Sequence, residues 1–195
     1  MLSATIPTPS PSHVDSYLAK WDTMENYVSQ ESSLRKLFTV TYPENKELDD
    51  VLIKVCSLND FYSTNIFSPF AVAKHIIALN IDARLKANDL SMVNVIAITK
   101  IGKNQRNFYS FATKYCSHHK PETYPIFDSF VEKLLMYFKN KDKFSEFKKA
   151  DMKSYERYVL ILKDFKMFYG LQKYTPKQID KYLWQAGKEY FPKQY

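Results

Sequence analysis

Asp128 is the residue of this chain whose setting is best suited to chemistry. It follows a stretch with two prolines, Pro121 and Pro125, which hold the chain stiff and non-helical just before a predicted helix. A carboxylate displayed in this way can stabilise a cation-like transition state, such as that of N-glycosidic bond cleavage, and can activate the attacking water. Aspartate is also among the best residues for capping a helix N-terminus. The sequence leaves both roles open for Asp128.

A second segment suits phosphate binding. The spacing of apolar residues predicts helices at 89–101 and 104–118, joined by only two residues. The amides that begin the second helix would then point outward at the positive end of the helix dipole, without a nearby carboxylate. The expected backbone-binding residues are Gly102, Lys103, Asn104 and Arg106. The alternative is an ordinary helical hairpin whose polar side chains are only solvated.

Aromatic and asparagine side chains near these segments suit a base pocket. Aromatic rings can stack on an extruded base, and an asparagine can occupy the gap that the base leaves. The candidates are Asn59, Tyr62, Asn65, Phe108 and Tyr109. The alternatives are that the rings fill the core between helices and that the asparagines cap helix ends.

The composition predicts an all-α fold. The chain of 195 residues is 45% hydrophobic and contains only three glycines, too few for the tight turns of an all-β protein of this length. We therefore expect a flexible N-terminal lead at 1–12 and one all-α domain at 13–195. This domain can consist of two lobes. This domain should contain a hairpin of helices, a Pro-rich loop and a helix led by Asp128.

Further helices are predicted by apolar periodicity and by capping signals, with about eight to ten helices in all. Besides those around the hairpin, the main ones are expected at 14–28, 44–58, 68–79, 128–138, 154–169 and 175–190. No segment alternates clearly enough to require a strand.

Positive charge is concentrated in the second half of the chain. Residues 1–99 contain 8 Lys and Arg against 11 Asp and Glu, whereas residues 100–195 contain 20 against 10. A basic half that begins at the hairpin, at about residue 100, suits a polyanionic partner such as DNA. The alternative is that lysine-rich helix faces serve only solubility.

Several other classes of protein are disfavoured. Two cysteines cannot form a disulfide framework, which favours a reducing, cytoplasmic setting, and no apolar run is long enough to cross a membrane. Cys116, His118 and His119 lack a second ligand pair at a recognised spacing, so no metal is expected. The chain has no Gly-rich nucleotide loop, so no cofactor is expected either.

The order of these motifs resembles the helix-hairpin-helix DNA glycosylase superfamily, in particular its 8-oxoguanine DNA glycosylase branch. Lys120-Pro121 and Pro125-Ile126-Phe127-Asp128 are similar to the Lys-Pro and Pro-Val-Asp segments of that branch, and Cys56 to Asn59 with Asn65-Ile66 is similar to its Cys-Ser-Ser-Asn segment. The similarity covers about residues 50–135. It implies a divergent bacterial member that binds duplex DNA, with Asp128 as the catalytic acid.

Two departures from that pattern bear on the chemistry. The family hairpin has two glycines, whereas this chain has Gly102 alone. Asn107 or Phe108 lies where the bifunctional members have their nucleophilic lysine, and Lys114 lies about two turns further along. The resemblance therefore implies a monofunctional N-glycosylase that uses water. The alternatives are a catalytically silent DNA-binding module of the same fold and a helical interaction protein without a nucleic-acid role.

Overall fold

The computed structural model describes residues 5–192 and is mainly helical. The prediction of an all-α, multi-helix protein is confirmed. The α-helices within this range are α1 (Pro11–Asp22), α2 (Glu25–Lys36), α3 (Leu48–Tyr62), α4 (Pro69–Leu79), α5 (Ile81–Lys86), α6 (Met92–Ala97), α7 (Tyr109–His119), α8 (Ser129–Asp142), α9 (Tyr155–Phe168) and α10 (Pro176–Tyr190). A π-helix at Leu37–Thr41 follows α2, and a 3-10 helix at Lys149–Lys153 precedes α9.

The chain divides into two compact units. The first contains α1 and everything from Phe127 onward, and the second contains Glu25–Ile126. The start of the predicted basic half, at about residue 100, coincides with neither boundary of the two units.

In the first unit, α10 packs against both α1 and α8. A capping box begins α10, because Thr175 Oγ1 accepts from the Gln178 amide at 3.2 Å and Gln178 Oε1 accepts from the Thr175 amide at 2.9 Å. Gly187 lets α10 approach α8 closely, since a Cβ added there would lie 2.7 Å from the Phe130 backbone oxygen. The first unit therefore has its own tightly packed helical core.

In the second unit, α3 packs against α4 and α6 packs against α7. Helix α7 is buried along nearly its whole length, from Tyr109 and then from Phe111 to His118. A helix that is buried in this way forms the centre of its unit, and α3 packs against it as well as α6.

The connection between α6 and α7 is a β-hairpin, which corrects our prediction of two helices joined by a short turn. Strands β1 (Ile98–Ile101) and β2 (Asn104–Asn107) pair antiparallel, with Ile101 opposite Asn104 and Thr99 opposite Arg106. Gly102 forms the turn with φ of +59°, a backbone conformation that glycine adopts without strain. Buried Thr99 anchors β1, and β-branched residues in β1 favour a strand over a helix.

The N-terminal region also differs from our prediction. Residues 1–4 of the predicted lead lie outside the described range, but the part that follows is packed, because Ile6 is buried. Ser10 caps α1 by accepting from the His13 amide, and Pro11 is its first residue. The predicted helix at 14–28 is two helices, α1 and α2, with a break at Thr23 and Met24.

None of the helices within residues 5–192 combines the length and the apolar character needed to cross a membrane.

Candidate nucleic-acid interface

The hairpin displays a group of cations that no other described side chain neutralises. Lys100, Lys103 and Arg106 are exposed, and none of their side chains has an ion pair or hydrogen bond within residues 5–192. The remaining residues of the turn and of β2, including Gly102 and Asn104, are exposed as well. We call residues 98–107 the basic hairpin. It offers donors and positive charge to a polyanion without first breaking an internal contact.

The predicted phosphate-binding residues are therefore brought together, but not at a helix N-terminus. Asn104 and Arg106 are in β2, and α7 begins only at Tyr109. The amides of a paired strand do not form the array of unsatisfied donors that begins a helix. Any phosphate held here is held mainly by side chains, which corrects the helix-dipole mechanism that we expected.

Asn59 holds the loop that follows α3. Its Oδ1 accepts from the Ile66 amide at 2.9 Å and from Thr64 Oγ1 at 2.8 Å, while its Nδ2 donates to the Ile66 carbonyl at 3.2 Å. Ile66 itself is buried. Of the two roles that we left open for Asn59, these contacts support the structural one. Asn65, by contrast, is exposed and has a φ of +57°.

Tyr62, at the end of α3, contacts two side chains of α7. Its hydroxyl lies 3.1 Å from His118 Nε2, and the Lys114 ammonium lies 5.3 Å from the centre of its ring. Lys114 is only 4% exposed and donates to Ser110 Oγ at 2.5 Å. From the sequence, Lys114 is only a lysine about two turns beyond the position of the nucleophile in bifunctional glycosylases, and its burial is not predicted. Residues 111–118 of α7 are all buried, although Thr, Lys, Ser and His occur among them. Because these residue types are usually exposed, the sequence does not predict that α7 is the central helix of its unit.

Phe108 and Tyr109 lie where the basic hairpin meets α7. Phe108 is half-buried, and its amide donates to the Ala97 carbonyl at 2.8 Å. Tyr109 is buried, and burial raises the pKa of its hydroxyl. The Phe108 amide therefore helps to fix the base of the hairpin, and the burial of Tyr109 supports the core role, which is the alternative to a base pocket for this ring.

Asp128 caps α8, in the first unit. Its Oδ1 accepts from the Phe130 amide at 2.8 Å, and the side chain is half-buried. The preceding residue, Phe127, is buried against Tyr158 with ring centres 5.4 Å apart, and the Lys153 ammonium lies 4.0 Å from the Phe127 ring centre. The predicted cap is confirmed. A cap through one carboxylate oxygen is compatible with a catalytic role, which stays a prediction.

Glu132, one turn after Asp128, is a second carboxylate that sequence reasoning did not single out. It pairs with Lys149 at 2.7 Å and with Lys153 at 2.9 Å. Burial opposes ionisation of Glu132, but the hydrogen bonds from the two lysines outweigh it and lower its pKa. Glu132 is therefore an ionised, paired carboxylate that ties α8 to the 3-10 helix.

A buried polar cluster in the second unit was also missed. Asn45 Oδ1 accepts from Lys54 at 2.7 Å and from Tyr115 at 2.5 Å, and it lies 3.2 Å from His119 Nε2. Asp82 accepts from the Asn45 amide and side chain at 2.9 and 2.6 Å. We call Asn45, Lys54, Asp82, Tyr115 and His119 the Asn45 cluster.

The electrostatics of the Asn45 cluster follow from its burial. Lys54 is fully buried and also donates to the carbonyls of Tyr42 and Glu44. Burial lowers the pKa of Lys54 to about 8, although the nearby Asp82 and Asp50 oppose this shift. Burial and then the charge of Lys54 lower the pKa of His119 to about 3. The hydrogen bonds among these side chains join the segment before α3 to α3, α5 and α7, which indicates a structural role.

Within residues 5–192, no group of three or more His, Cys, Asp and Glu side chains is arranged to hold a metal ion. Cys56 is exposed, whereas Cys116 is buried, and burial raises the pKa of its thiol.

Comparison with known proteins gives a family. A family model described as the HI_0787_N N-terminal domain matches residues 13–123. The chain belongs to this family. A Haemophilus influenzae protein described as uncharacterized is 46% identical to it over 147 residues, which cover 75% of this chain and 70% of the relative. No solved structure gives a significant match.

The HI_0787_N match includes one candidate feature, the basic hairpin, and excludes another, Asp128. It includes the basic hairpin and the loop held by Asn59, and it ends before Asp128. The basic hairpin and the loop held by Asn59 therefore lie within the HI_0787_N domain, and Asp128 lies beyond it.

Proposed function

We propose that this protein binds duplex DNA through the basic hairpin. The observation that carries the proposal is the exposure of Lys100, Lys103 and Arg106 on a short antiparallel ribbon, without ion-pair partners in the described range. Cations that are not neutralised within the protein release counterions from DNA when they contact phosphates, and this release drives binding. A two-stranded ribbon also has the width to enter the major groove.

The charge of the whole chain supports a polyanionic partner. The net charge of +7 raises the local concentration of nucleic acid and speeds encounter. Asn104 and Gln105 add amide side chains on the same ribbon, and amides hydrogen-bond both phosphate oxygens and base edges. Affinity would come from the cations, and orientation from the amides.

The finer proposal is that DNA binding serves excision of a damaged or modified base, with Asp128 as the acid. As a carboxylate, Asp128 would stabilise the cation that develops on the sugar as the N-glycosidic bond breaks, and would activate water for attack. The half-burial of Asp128 and its fixed position as a cap suit a group that has to keep one orientation. No lysine nucleophile is part of this proposal.

A matched pair of triple variants tests the DNA-binding proposal. The first replaces Lys100, Lys103 and Arg106 with alanine. The second replaces Arg35, Lys36 and Lys86, which are exposed in the same unit, and so removes the same charge elsewhere. In fluorescence anisotropy with a labelled duplex at 50 mM salt, we expect the first to lose at least tenfold in affinity and the second to lose much less. Equal losses would overturn the assignment to the hairpin.

Asp128→Asn tests the excision proposal with little structural change, because asparagine caps a helix as well as aspartate does. On a panel of duplexes with oxidised, alkylated or deaminated bases, the wild-type protein should release a base and leave an abasic site. Asp128→Asn should slow this release at least a hundredfold while duplex affinity is unchanged. The control is Glu132→Gln, which alters the neighbouring carboxylate; it should keep the release rate within a few-fold.

A DNA-binding module without catalysis is the second candidate. It is favoured by the end of the HI_0787_N match at residue 123, since binding by this domain alone does not require Asp128. If the wild-type protein binds duplexes but releases no base from the panel, this candidate replaces the first. The absence of salt-sensitive duplex binding by the wild-type protein would remove both and leave the helical interaction protein.

A further inference from the structure

Phe67 is the most exposed of the large hydrophobic residues that the structure describes. Its side chain is 95% exposed, whereas the adjacent Ile66 is buried. Within residues 5–192, Phe67 has no ring or cation contact with another side chain. A whole aromatic ring therefore projects into solvent from a position next to an anchored residue.

The loop that displays Phe67 is held in place. The side-chain amide of Asn59 hydrogen-bonds both the amide and the carbonyl of Ile66, so the backbone is fixed immediately before Phe67. Pro69 begins α4 two residues later and restricts the chain on the other side. Such a position lets a ring bind without first losing much conformational freedom.

The surroundings of Phe67 suit a polyanion with flat apolar faces. Phe70, at the start of α4, is 55% exposed, and the Lys74 ammonium lies 5.7 Å from the centre of its ring. Helix α4 packs against strand β1 of the basic hairpin, so the two features are on neighbouring elements of one unit. Exposed aromatic rings together with unpaired cations are the means by which proteins bind bases and phosphates at once.

We propose that Phe67 inserts between base pairs of bound duplex DNA and unstacks one step. Apolar wedges of this kind kink the duplex, and they are distinct from groups that hold phosphates. This inference rests on the proposed DNA binding and adds a distortion of the DNA, with the residue that causes it. Stacking is insensitive to salt, so Phe67 contributes to affinity without changing the number of phosphates bound.

Phe67→Ala tests the proposal in two assays on one labelled duplex. The first is the fluorescence of a 2-aminopurine base, which rises when the base unstacks, and the second is the end-to-end distance from energy transfer. We expect Phe67→Ala to abolish both changes and to weaken binding about tenfold, with an unchanged slope of log affinity against log salt. Phe67→Trp should retain both changes, because tryptophan also stacks.

The matched control is Phe168→Ala, which removes another exposed phenylalanine, in the first unit. It should behave as wild type in both assays. If wild type binds the duplex with the expected salt dependence but Phe67→Ala still unstacks and bends it, the wedge is overturned and DNA binding stands. A dimer that dissociates on Phe67→Ala, with no effect on DNA, would also overturn it. Absence of duplex binding by wild type would instead overturn the proposed function.

Discussion

The basic hairpin and the Asn45 cluster both place lysine in the second unit, and they use it in opposite ways. Lys54 is fully buried and donates to three oxygens, whereas Lys100, Lys103 and Arg106 are exposed without a partner in the described range. A buried ammonium whose hydrogen bonds are all made inside the protein stabilises one conformation and offers nothing to a ligand. An exposed cation without a partner contributes little to folding and remains available for binding.

The difference shows why a count of charges does not locate a binding surface. The sequence places the excess of positive charge after residue 100, but part of that charge is already neutralised. Lys149 and Lys153 pair with Glu132. What distinguishes the hairpin is that its cations are unpaired as well as close together. The Asn45 cluster is bonded within the protein and the cations of the basic hairpin are not, so substitutions in the two regions should change the free energy of unfolding by different amounts.

The largest effect is expected for Asn45→Ala. The substitution removes the acceptor that the buried Lys54 and Tyr115 share, and it removes the side-chain donor to the half-buried Asp82. Each buried group that loses its hydrogen-bond partner costs about 1 to 3 kcal/mol, and several such bonds are lost together, so we expect the free energy of unfolding to fall by about 3 to 5 kcal/mol, measured by urea denaturation. The control is Asn104→Ala on the hairpin, which should change it by less than about 0.5 kcal/mol. Similar losses for both would remove the distinction between cluster and hairpin.

The next effect is a pH dependence that comes from His119. Its pKa is about 3 in the folded protein, below the ordinary value of 6.5, so the unfolded chain binds more protons between these values. Stability should therefore fall as the pH drops below 6.5, by about 2 kcal/mol from pH 7 to pH 5.

Replacing His119 with glutamine should flatten this part of the stability profile. His75→Gln is the control, since the half-buried His75 lies outside the Asn45 cluster and its Nε2 lies 3.1 Å from the Val95 carbonyl oxygen. Denaturation at pH 5, 6 and 7 measures all three proteins. An unaltered slope in His119→Gln would show that another group causes the loss.

A smaller effect is expected at the turn of the hairpin. Gly102 has open space around the position of an added Cβ but a φ of +59°, so a side chain there is strained and not crowded. Gly102→Ala should cost about 1 kcal/mol of unfolding free energy, and Gly102→Asn should cost less, because asparagine adopts this conformation more readily. Equal costs for the two variants would contradict the hairpin turn.

The smallest effect on stability is expected for the hairpin triple variant. Replacing Lys100, Lys103 and Arg106 with alanine removes no internal contact and should change the unfolding free energy by less than about 0.5 kcal/mol. Thermal and urea denaturation measure it. A larger loss would place these cations with Lys54 among the groups that hold the fold together.

Local signals in the sequence predict the helices well where a cap marks their ends. The capping box of α10 and the glycine after α9 are found as expected, and Gly170 has a φ of +67°. Helix α4 begins at Pro69 after Ser68, as expected, but the Ser68 side chain makes no capping hydrogen bond. The cap at Asp128 follows the same rule. Each of these signals depends on residues within one turn of each other, which the sequence displays directly.

The errors arise where a contact distant in sequence decides the structure. The helical spacing of 89–101 is interrupted after Ala97, where paired strands replace the expected helix, and a strand pair of four residues each is too short to show alternation. The Asn45 cluster joins residues up to 74 positions apart. The exposure of Phe67 likewise depends on how α3 and α4 pack, which no local pattern contains.

The most direct test of the account is the salt dependence of duplex binding by three proteins: wild type, the hairpin triple variant and the matched variant at Arg35, Lys36 and Lys86. The slope of log affinity against log salt measures how many phosphates are bound, at about 0.9 for each. If the hairpin binds the backbone, its loss should reduce the slope by about 2 to 3, and the matched variant should keep the wild-type slope. Equal slopes in all three proteins would contradict the claim that the basic hairpin is the DNA-binding surface.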